Sequence, residues 1–401
     1  MSDRRTGPGP ADNHDVNVDD IVSAVTAVVG ETTRSVPLHA PEFNGNEWSY
    51  VKECIDTGWV SSAGRFVDRF EKDLASRCGA RHAVACVNGT AALHAALLVA
   101  GVTTGHEVLV PTLTFIGTAN AISYCGARPH FVDVDEGRGA VDPLSLERHL
   151  GEIATLSGGV CYNRTTGAPI TALVVVHLLG HPADIVSLRR ICEQWSLTMV
   201  EDAAEALGSY LASGHVGSDS RLAVLSFNGN KIVTSGSGGA ILTNDAELAR
   251  RCKHLTTTAR HQHAWAFIHD QVGFNYRLAN INAALGCAQL EQLPGFLSRK
   301  RALAARYINA FEKVSGVSVL EEPEGTRSNY WLVSIKLGRP DRGHRDRVLT
   351  ELNRREILAR PVWALLHSLP MYSHCPRADL QSASRLEDQI IMLPSSPSLV
   401  P

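Results

Sequence analysis

Residues 83–134 read AVACVNGTAALHAALLVAGVTTGHEVLVPTLTFIGTANAISYCGARPHFVDV, and their texture decides the fold. AVACV, EVLVP and PHFVDV are short, nearly continuous apolar runs. Between them lie TAALHAALLVAG and FIGTANAISYCG, both of helical length. Strands that are apolar throughout are buried on both faces, and helices inserted between them imply a mostly parallel sheet. Ligands of such sheets bind at the carboxyl ends of the strands.

The same alternation extends outward. Upstream, FVDRFEKDLASRCG places Phe66, Phe70 and Leu74 on one helical face. Downstream come the helical SLERHLGEI, the strand ITALVVVHLLG, the helix DIVSLRRICEQWS, and the strands LTMVED, LAVLSF and GAILTN. Residues 18–30 (VDDIVSAVTAVVG) suit a short amphipathic helix ending on Gly30, and EWSYVKECIDTG a second. Residues 1 to about 16 are polar, rich in Gly, Pro and Asp, and expected to be disordered. After residue 280 a long helical stretch, expected to break at Pro294, leads to an alternating strand SNYWLVSIKL and a helix from Asp341 to Ile357. The expected architecture is α/β. A disordered segment and short helix (1–36) precede a large domain (37–294) with a mostly parallel sheet flanked by helices. A smaller C-terminal α+β domain (295–401) follows.

Composition narrows the function. With 401 residues, 44% apolar and 20% charged, the chain can build a large core. A net charge of -3 and no long Lys/Arg run argue against a nucleic-acid partner. The first residues carry no apolar core, and no apolar stretch approaches the roughly 18 residues that span a bilayer. Nine scattered cysteines without a CxxC pair suit buried thiols in a reducing compartment. The expected location is the cytoplasm, with no membrane partner.

Four features fall at expected strand ends. Asn88-Gly89-Thr90 opens a helix after AVACV, a place for a phosphate or simply for an N-cap by Thr90. LTMVED ends in Glu201 and Asp202, with Glu205 three residues on; these are cleft groups or a helix cap with its capping box. Thr112, Thr114 and Phe115 end the EVLVP strand, and an aromatic there is ordinarily core. LAVLSF leads into Ser226, Asn228 and Lys231. Each is ambiguous alone. Together they place a phosphate cradle, an acid, a flat apolar face and a lysine on one sheet edge. Pyridoxal phosphate (PLP) needs that set: a lysine to condense with its aldehyde and an acid to keep its ring nitrogen protonated.

The chain resembles the DegT/DnrJ/EryC1/StrS sugar aminotransferases, fold-type I PLP enzymes. The resemblance is carried by GRFVDRFEKDLA, AVACVNGTAALHAAL, VLVPTLTFIGTANAI, GHPADI, VEDAAEALGS, SFNGNKIVTSGSGGAILT and GFNYRLANINAALGCAQLEQL. Within that group it is most similar to the branch acting on UDP-linked 4-keto-6-deoxy-N-acetylhexosamines, through residues 36–68, RPVWALLHSLPMY and MLPSSP. The resemblance implies that Lys231 carries the cofactor and moves protons, with glutamate as amino donor, and that Asp202 pairs with the ring nitrogen. Gly89, Thr90, Ala91 and Ser226 match phosphate contacts, and Phe115 the ring-stacking aromatic. Glu205 stands where many members have Gln or His near the cofactor's phenolic oxygen. Asn275 or Arg277, in the GFNYR loop, is implied to reach the phosphate in the partner subunit of a homodimer with shared sites. Lys231, in a place where some relatives carry His and run dehydrations, favours transamination.

Trp59, Val60, Ser61, Ser62, Asn329, Trp331 and His367 are the candidates for holding the nucleotide sugar. The two tryptophans read first as packing residues. Four rivals remain: a PLP dehydratase or lyase, an aminotransferase acting on a dTDP- or GDP-linked keto sugar, a regulator without cofactor, and a metal site at His254, His261, His263, His269 and Asp270. The last is a poor zinc arrangement, because His-x-His in a loop has no strand to hold it. No metal is expected.

Overall fold

A computed structural model describes residues 17–30 and 34–400, so the expectation of disorder before residue 17 lies outside the described residues. The central sheet contains the three strands of the opening stretch, β1 (His82–Cys86), β2 (Glu107–Pro111) and β3 (Arg128–Val132). To these it adds a hairpin of β4 (Ala154–Ser157) and β5 (Val160–Asn163), then β6 (Pro169–Val176) and β7 (Thr198–Asp202). A two-stranded ribbon of β8 (Tyr210–Leu211) and β9 (Gly214–His215) stands apart, and β10 (Leu222–Ser226) and β11 (Gly239–Thr243) complete the sheet. The order is β1-β11-β10-β7-β6-β2-β3, with the hairpin attached through β5 to β6. Strands β10, β7, β6, β2 and β3 are parallel, as the apolar runs implied. β11 runs antiparallel to both β10 and β1. The connection from β10 to β11 contains no crossover helix, and without one the chain returns antiparallel.

Helices α1 (Val18–Val29), α2 (Glu47–Thr57), α3 (Arg65–Cys78), α4 (Gly89–Val99), α5 (Ile116–Tyr124), α6 (Pro143–Ile153), α7 (Ile185–Gln194) and α8 (Ala246–Thr256) surround these strands or pack nearby. One core layer joins α4, α5 and α8 to one sheet face; another joins α3 and Phe227 to the opposite face. Phe70 and Phe227 meet edge to face at 5.0 Å, which anchors the start of the β10–β11 loop that carries Lys231.

The expected break at Pro294 is absent: α9 runs unbroken from Asn280 to Phe311. A mid-helix proline costs about 3 kcal/mol. Leu290, Leu293 and Phe296 bury on the large-sheet side, while Leu303, Ala304, Tyr307 and Phe311 bury in the C-terminal core. At roughly 1.5–3 kcal/mol for each large side chain, burial at both ends outweighs the kink. The C-terminal core is built on a second sheet, β12 (Val317–Val319), β13 (Ser334–Leu337), β14 (Arg360–Pro361) and β15 (Ile390–Met392), with α10 (Arg342–Arg354) against it. α11 (Gln381–Glu387) lies near the chain end. α1 packs into this C-terminal core through Ile21, Val22, Val25 and Val28.

SNYWLVSIKL is a strand only at Ser334–Leu337. Before it, the Ser328 hydroxyl accepts the Tyr330 N–H and Asn329 Oδ1 accepts the Trp331 N–H, each two residues on, and Tyr330 has φ +48°. Such local bonds compete with a ladder and win here.

Candidate active site

Strand register, parallel across β6, β7 and β10 and antiparallel through β11, brings the four features together. Val176, Asp202 and Val224 are neighbours across β6, β7 and β10. Ser226 and Cys86 flank Gly239 at the same edge. At that edge opens a cavity of about 320 Å³ lined by Gly89, Thr90, Phe115, Asp202, Glu205, Ser226 and Lys231, with Thr118, Asn230, Trp331 and Trp363.

The α4 end forms one wall. Its cap is Asn88, not Thr90: the Asn88 Oδ1 accepts the Ala91 N–H at 2.8 Å. Ala91 is thereby spent on the cap and lies outside the cavity lining. The Gly89 and Thr90 amides are among the first-turn donors that a helix leaves free. A Cβ on Gly89 would stand 2.9 Å from Ser226 Cβ, so only glycine allows the hydroxyl of Ser226 and the helix end to share one cradle.

Strand alternation splits the two acids. Asp202 faces the cavity, while Glu201 points to the opposite face and accepts a hydrogen bond from His177 Nε2 at 2.8 Å. His177 Nδ1 is already occupied by the Ala183 N–H, which places the ring proton on Nε2. No helix follows Asp202, so neither acid is a helix cap. Burial raises the pKa of Asp202. The Thr118 hydroxyl, donating to Oδ2 at 2.9 Å, and the Ala204 N–H, donating to Oδ1, oppose this.

Glu205 is buried, with its Oε2 held by the Leu179 N–H at 2.7 Å. Leu179 has φ +58°, a left-handed conformation costing of order 1–3 kcal/mol in a non-glycine residue. The strained turn therefore aims its amide at this carboxylate. The next residue, Gly180, has φ +95°, and a Cβ there would overlap Asn329 Oδ1. Burial raises the Glu205 pKa to about 7, against the pull of Lys231 and of the Leu179 amide. Lys231 is 13% exposed, with its Nζ 3.8 Å from Glu205 Oε1. Burial lowers its pKa; Glu205 and Asp202 push back. A lysine so enclosed is no solvated decoration. Its amine loses a proton more readily than a surface one.

Other expected residues fall elsewhere. Asn329 is fully buried and does not line the cavity. Its amide donates to the carbonyls of Glu205 and Leu207, and its Oδ1 accepts from Trp331 N–H. It shapes the wall through backbone. Trp331 does line the cavity, 3% exposed, its indole N–H donating to Asn230 O at 2.8 Å. His367 lies in a separate hollow with Arg377 and Arg385, its Nδ1 bonded to Thr112 Oγ1 at 2.8 Å. Trp59, Val60 and Ser61 are exposed and lie off the cavity, Trp59 and Ser61 accepting hydrogen bonds from Asn280 through their carbonyls. Asn275 and Arg277 are exposed and bonded to each other, also off the cavity. His254 and His261 both contact Asp270, and among the described residues no group of three or more His, Cys, Asp or Glu side chains is placed to hold a metal ion. All nine cysteines are free, eight of them buried. Among the described residues no helix is long and apolar enough to cross a membrane.

The sequence reading missed Thr118, the Leu179 turn and Trp363. Thr118 sits one helical turn after Thr114, the one available signal.

The donor set fits PLP: free helix-end amides and a hydroxyl for a phosphate, a buried carboxylate, an exposed aromatic face at Phe115 and an enclosed lysine share one cavity of sufficient size. Comparison with known proteins points the same way. A model of the DegT/DnrJ/EryC1/StrS aminotransferase family matches residues 41–401. The GDP-perosamine synthase of Escherichia coli O157:H7 is 38% identical over 369 residues, 91% of this chain and 94% of that protein. That of Vibrio cholerae is 35% identical over 367 residues, 91% and 95% of the two chains. The crystal structure of S. venezuelae DesV superposes with a TM-score of 0.78 at 30% identity, over 88% of this chain and 90% of that one.

Proposed function

Because the chain belongs to the DegT/DnrJ/EryC1/StrS aminotransferase family, and is with it a PLP-dependent nucleotide-sugar aminotransferase, we propose that it moves the amino group of glutamate onto a GDP-linked 4-keto-6-deoxy sugar. The observation that carries the aminotransferase reading is Lys231, enclosed with Asp202 and Glu205 beside a helix end that can take a phosphate. The nucleotide assignment is supported by relatives whose names give GDP-perosamine as product. It takes the GDP-linked alternative ahead of the UDP-linked N-acetylhexosamine first expected from the sequence.

Bound here, PLP supplies an aldehyde to carry the amino group and a ring that accepts negative charge. Gly89, Thr90 and Ser226 hold the phosphate. Asp202, kept in place by Thr118, holds the proton at the ring nitrogen. Phe115 covers a ring face. Lys231 takes a proton from the α-carbon of glutamate and later returns one to the sugar. Its burial lowers the cost of the neutral amine that this proton transfer needs. Trp363 and Trp331 line the same cavity.

We place the enzyme in a homodimer. Asn275 and Arg277 lie off their own cavity, and the exposed Trp265, Phe267 and Val272 precede them in the chain. Exposed apolar side chains of that kind suit a second copy, whose site one of the two polar residues would reach. The buried free thiols and the absence of a spanning helix among the described residues support a cytoplasmic setting.

Gly89→Ala tests the cradle. The added methyl displaces the Ser226 hydroxyl, and overpacking of this kind costs about 1–3 kcal/mol. Equilibrium dialysis should show PLP held roughly tenfold more weakly or worse. The nucleotide is tested by assaying GDP- and UDP-linked 4-keto-6-deoxy sugars with glutamate. The GDP sugar should be preferred by about tenfold or more in kcat/KM. Preference for the UDP sugar would overturn the nucleotide assignment and leave the amino transfer standing.

A further inference from the structure

The resting place of the Lys231 amine is unusual, and the argument for it depends on the assignment of Lys231 given above. The Nζ lies 3.7 Å from the centroid of the Trp331 ring and 3.8 Å from Glu205 Oε1. An ammonium over an indole face is attracted by the ring's negative charge, the more so when desolvated. Neither partner is free to move away. Trp331 is fixed by its bond to Asn230 O and by Trp363, stacked on it at 6.4 Å with planes 10° apart. Glu205 is fixed by the strained Leu179 amide.

We propose that Glu205 and Trp331 are positioning residues that receive the amine of Lys231 whenever it is not bonded to the cofactor, holding it between a carboxylate and an aromatic face and so fixing its place and its proton affinity. The pair gives the released amine one defined location from which to act, instead of a swept volume. Trp331, which the sequence offered to the sugar, thereby serves the lysine.

The charges facing this amine are few. Glu205 and Asp202 favour its protonated form, Glu205 more strongly. His39, in the arm before α2, feels the Lys231 charge and that of Lys300 behind it, and both work with burial to keep the imidazole neutral. Removing the Glu205 charge should therefore lower the pH at which Lys231 becomes a free base.

The test is carbamoylation by cyanate, a reagent small enough for the cavity that reacts with the neutral amine. Full-length protein freed of cofactor is labelled across pH, and modification of Lys231 is read by peptide mass. Glu205→Gln should move the labelling midpoint down by about one pH unit or more. Trp331→Leu should move it the same way by less, and Trp331→Phe, which keeps a weaker aromatic face, should fall between Leu and wild type. Wild-type midpoints in Glu205→Gln and Trp331→Leu would overturn the receiving pair. Failure of borohydride to fix the cofactor on Lys231 in the wild-type enzyme would instead overturn the assignment on which the pair rests. The two failures are read separately.

Discussion

Lys231→Ala should abolish amino transfer, with a loss of about four orders of magnitude or more in kcat. Two functions leave with one side chain: the bond to the cofactor and the base that moves protons to and from carbon. No neighbour can substitute. Asp202 is committed to Thr118 and the Ala204 amide, and Glu205 is tied to Leu179. The variant should still fold, because the loop is anchored by Phe227 against Phe70 and by backbone bonds at Phe227, not by the lysine. It should retain PLP without a borohydride-stable link. The measurement pairs the glutamate-dependent rate with the mass of the reduced active-site peptide. Activity within tenfold of wild type would mean that another group carries the chemistry.

Asp202→Asn should lower kcat by about two to three orders of magnitude, the scale on which one preorganised charge stabilises a reacting centre. The change preserves shape. An amide oxygen can still accept the Thr118 hydroxyl, so the cavity should keep its form. What disappears is the negative charge that holds a proton on the ring nitrogen. Burial already works against that charge, and a cation close by restores it. The variant should bind PLP, accept glutamate slowly, and show a pH profile detached from the wild-type one. Rates within threefold of wild type would remove Asp202 from this role.

Much of this was legible because the relevant physics is local. Apolar runs such as EVLVP announce a strand buried on both faces, and a strand end followed by Asn88-Gly89 announces a turn into a helix. Register does the rest: parallel β6, β7 and β10 set Asp202 at one edge, and antiparallel β11 brings Ser226 and Cys86, which leads into α4, to the same edge. The misses lie where distant parts of the chain decide. Pro294 breaks a helix on local grounds, yet anchorage in two cores carries α9 through it. Asn329 looks like a ligand group until the left-handed Gly180 brings it against the backbone of Glu205 and Leu207. The hairpin at residues 154–163 has a local signal, Gly158-Gly159 between two short runs, which the helical pattern just before it masks. The motifs quoted from the sequence carry the cofactor site and not the nucleotide, whose choice rests on the proposal above.

The most direct test of the account supplies the PLP-loaded enzyme with glutamate alone, in the absence of any sugar. The account predicts a single equivalent of 2-oxoglutarate per chain, a matching loss of the cofactor's visible absorbance, and no further turnover until a keto sugar is added. An absorbance that glutamate leaves untouched, with no 2-oxoglutarate formed, would contradict it.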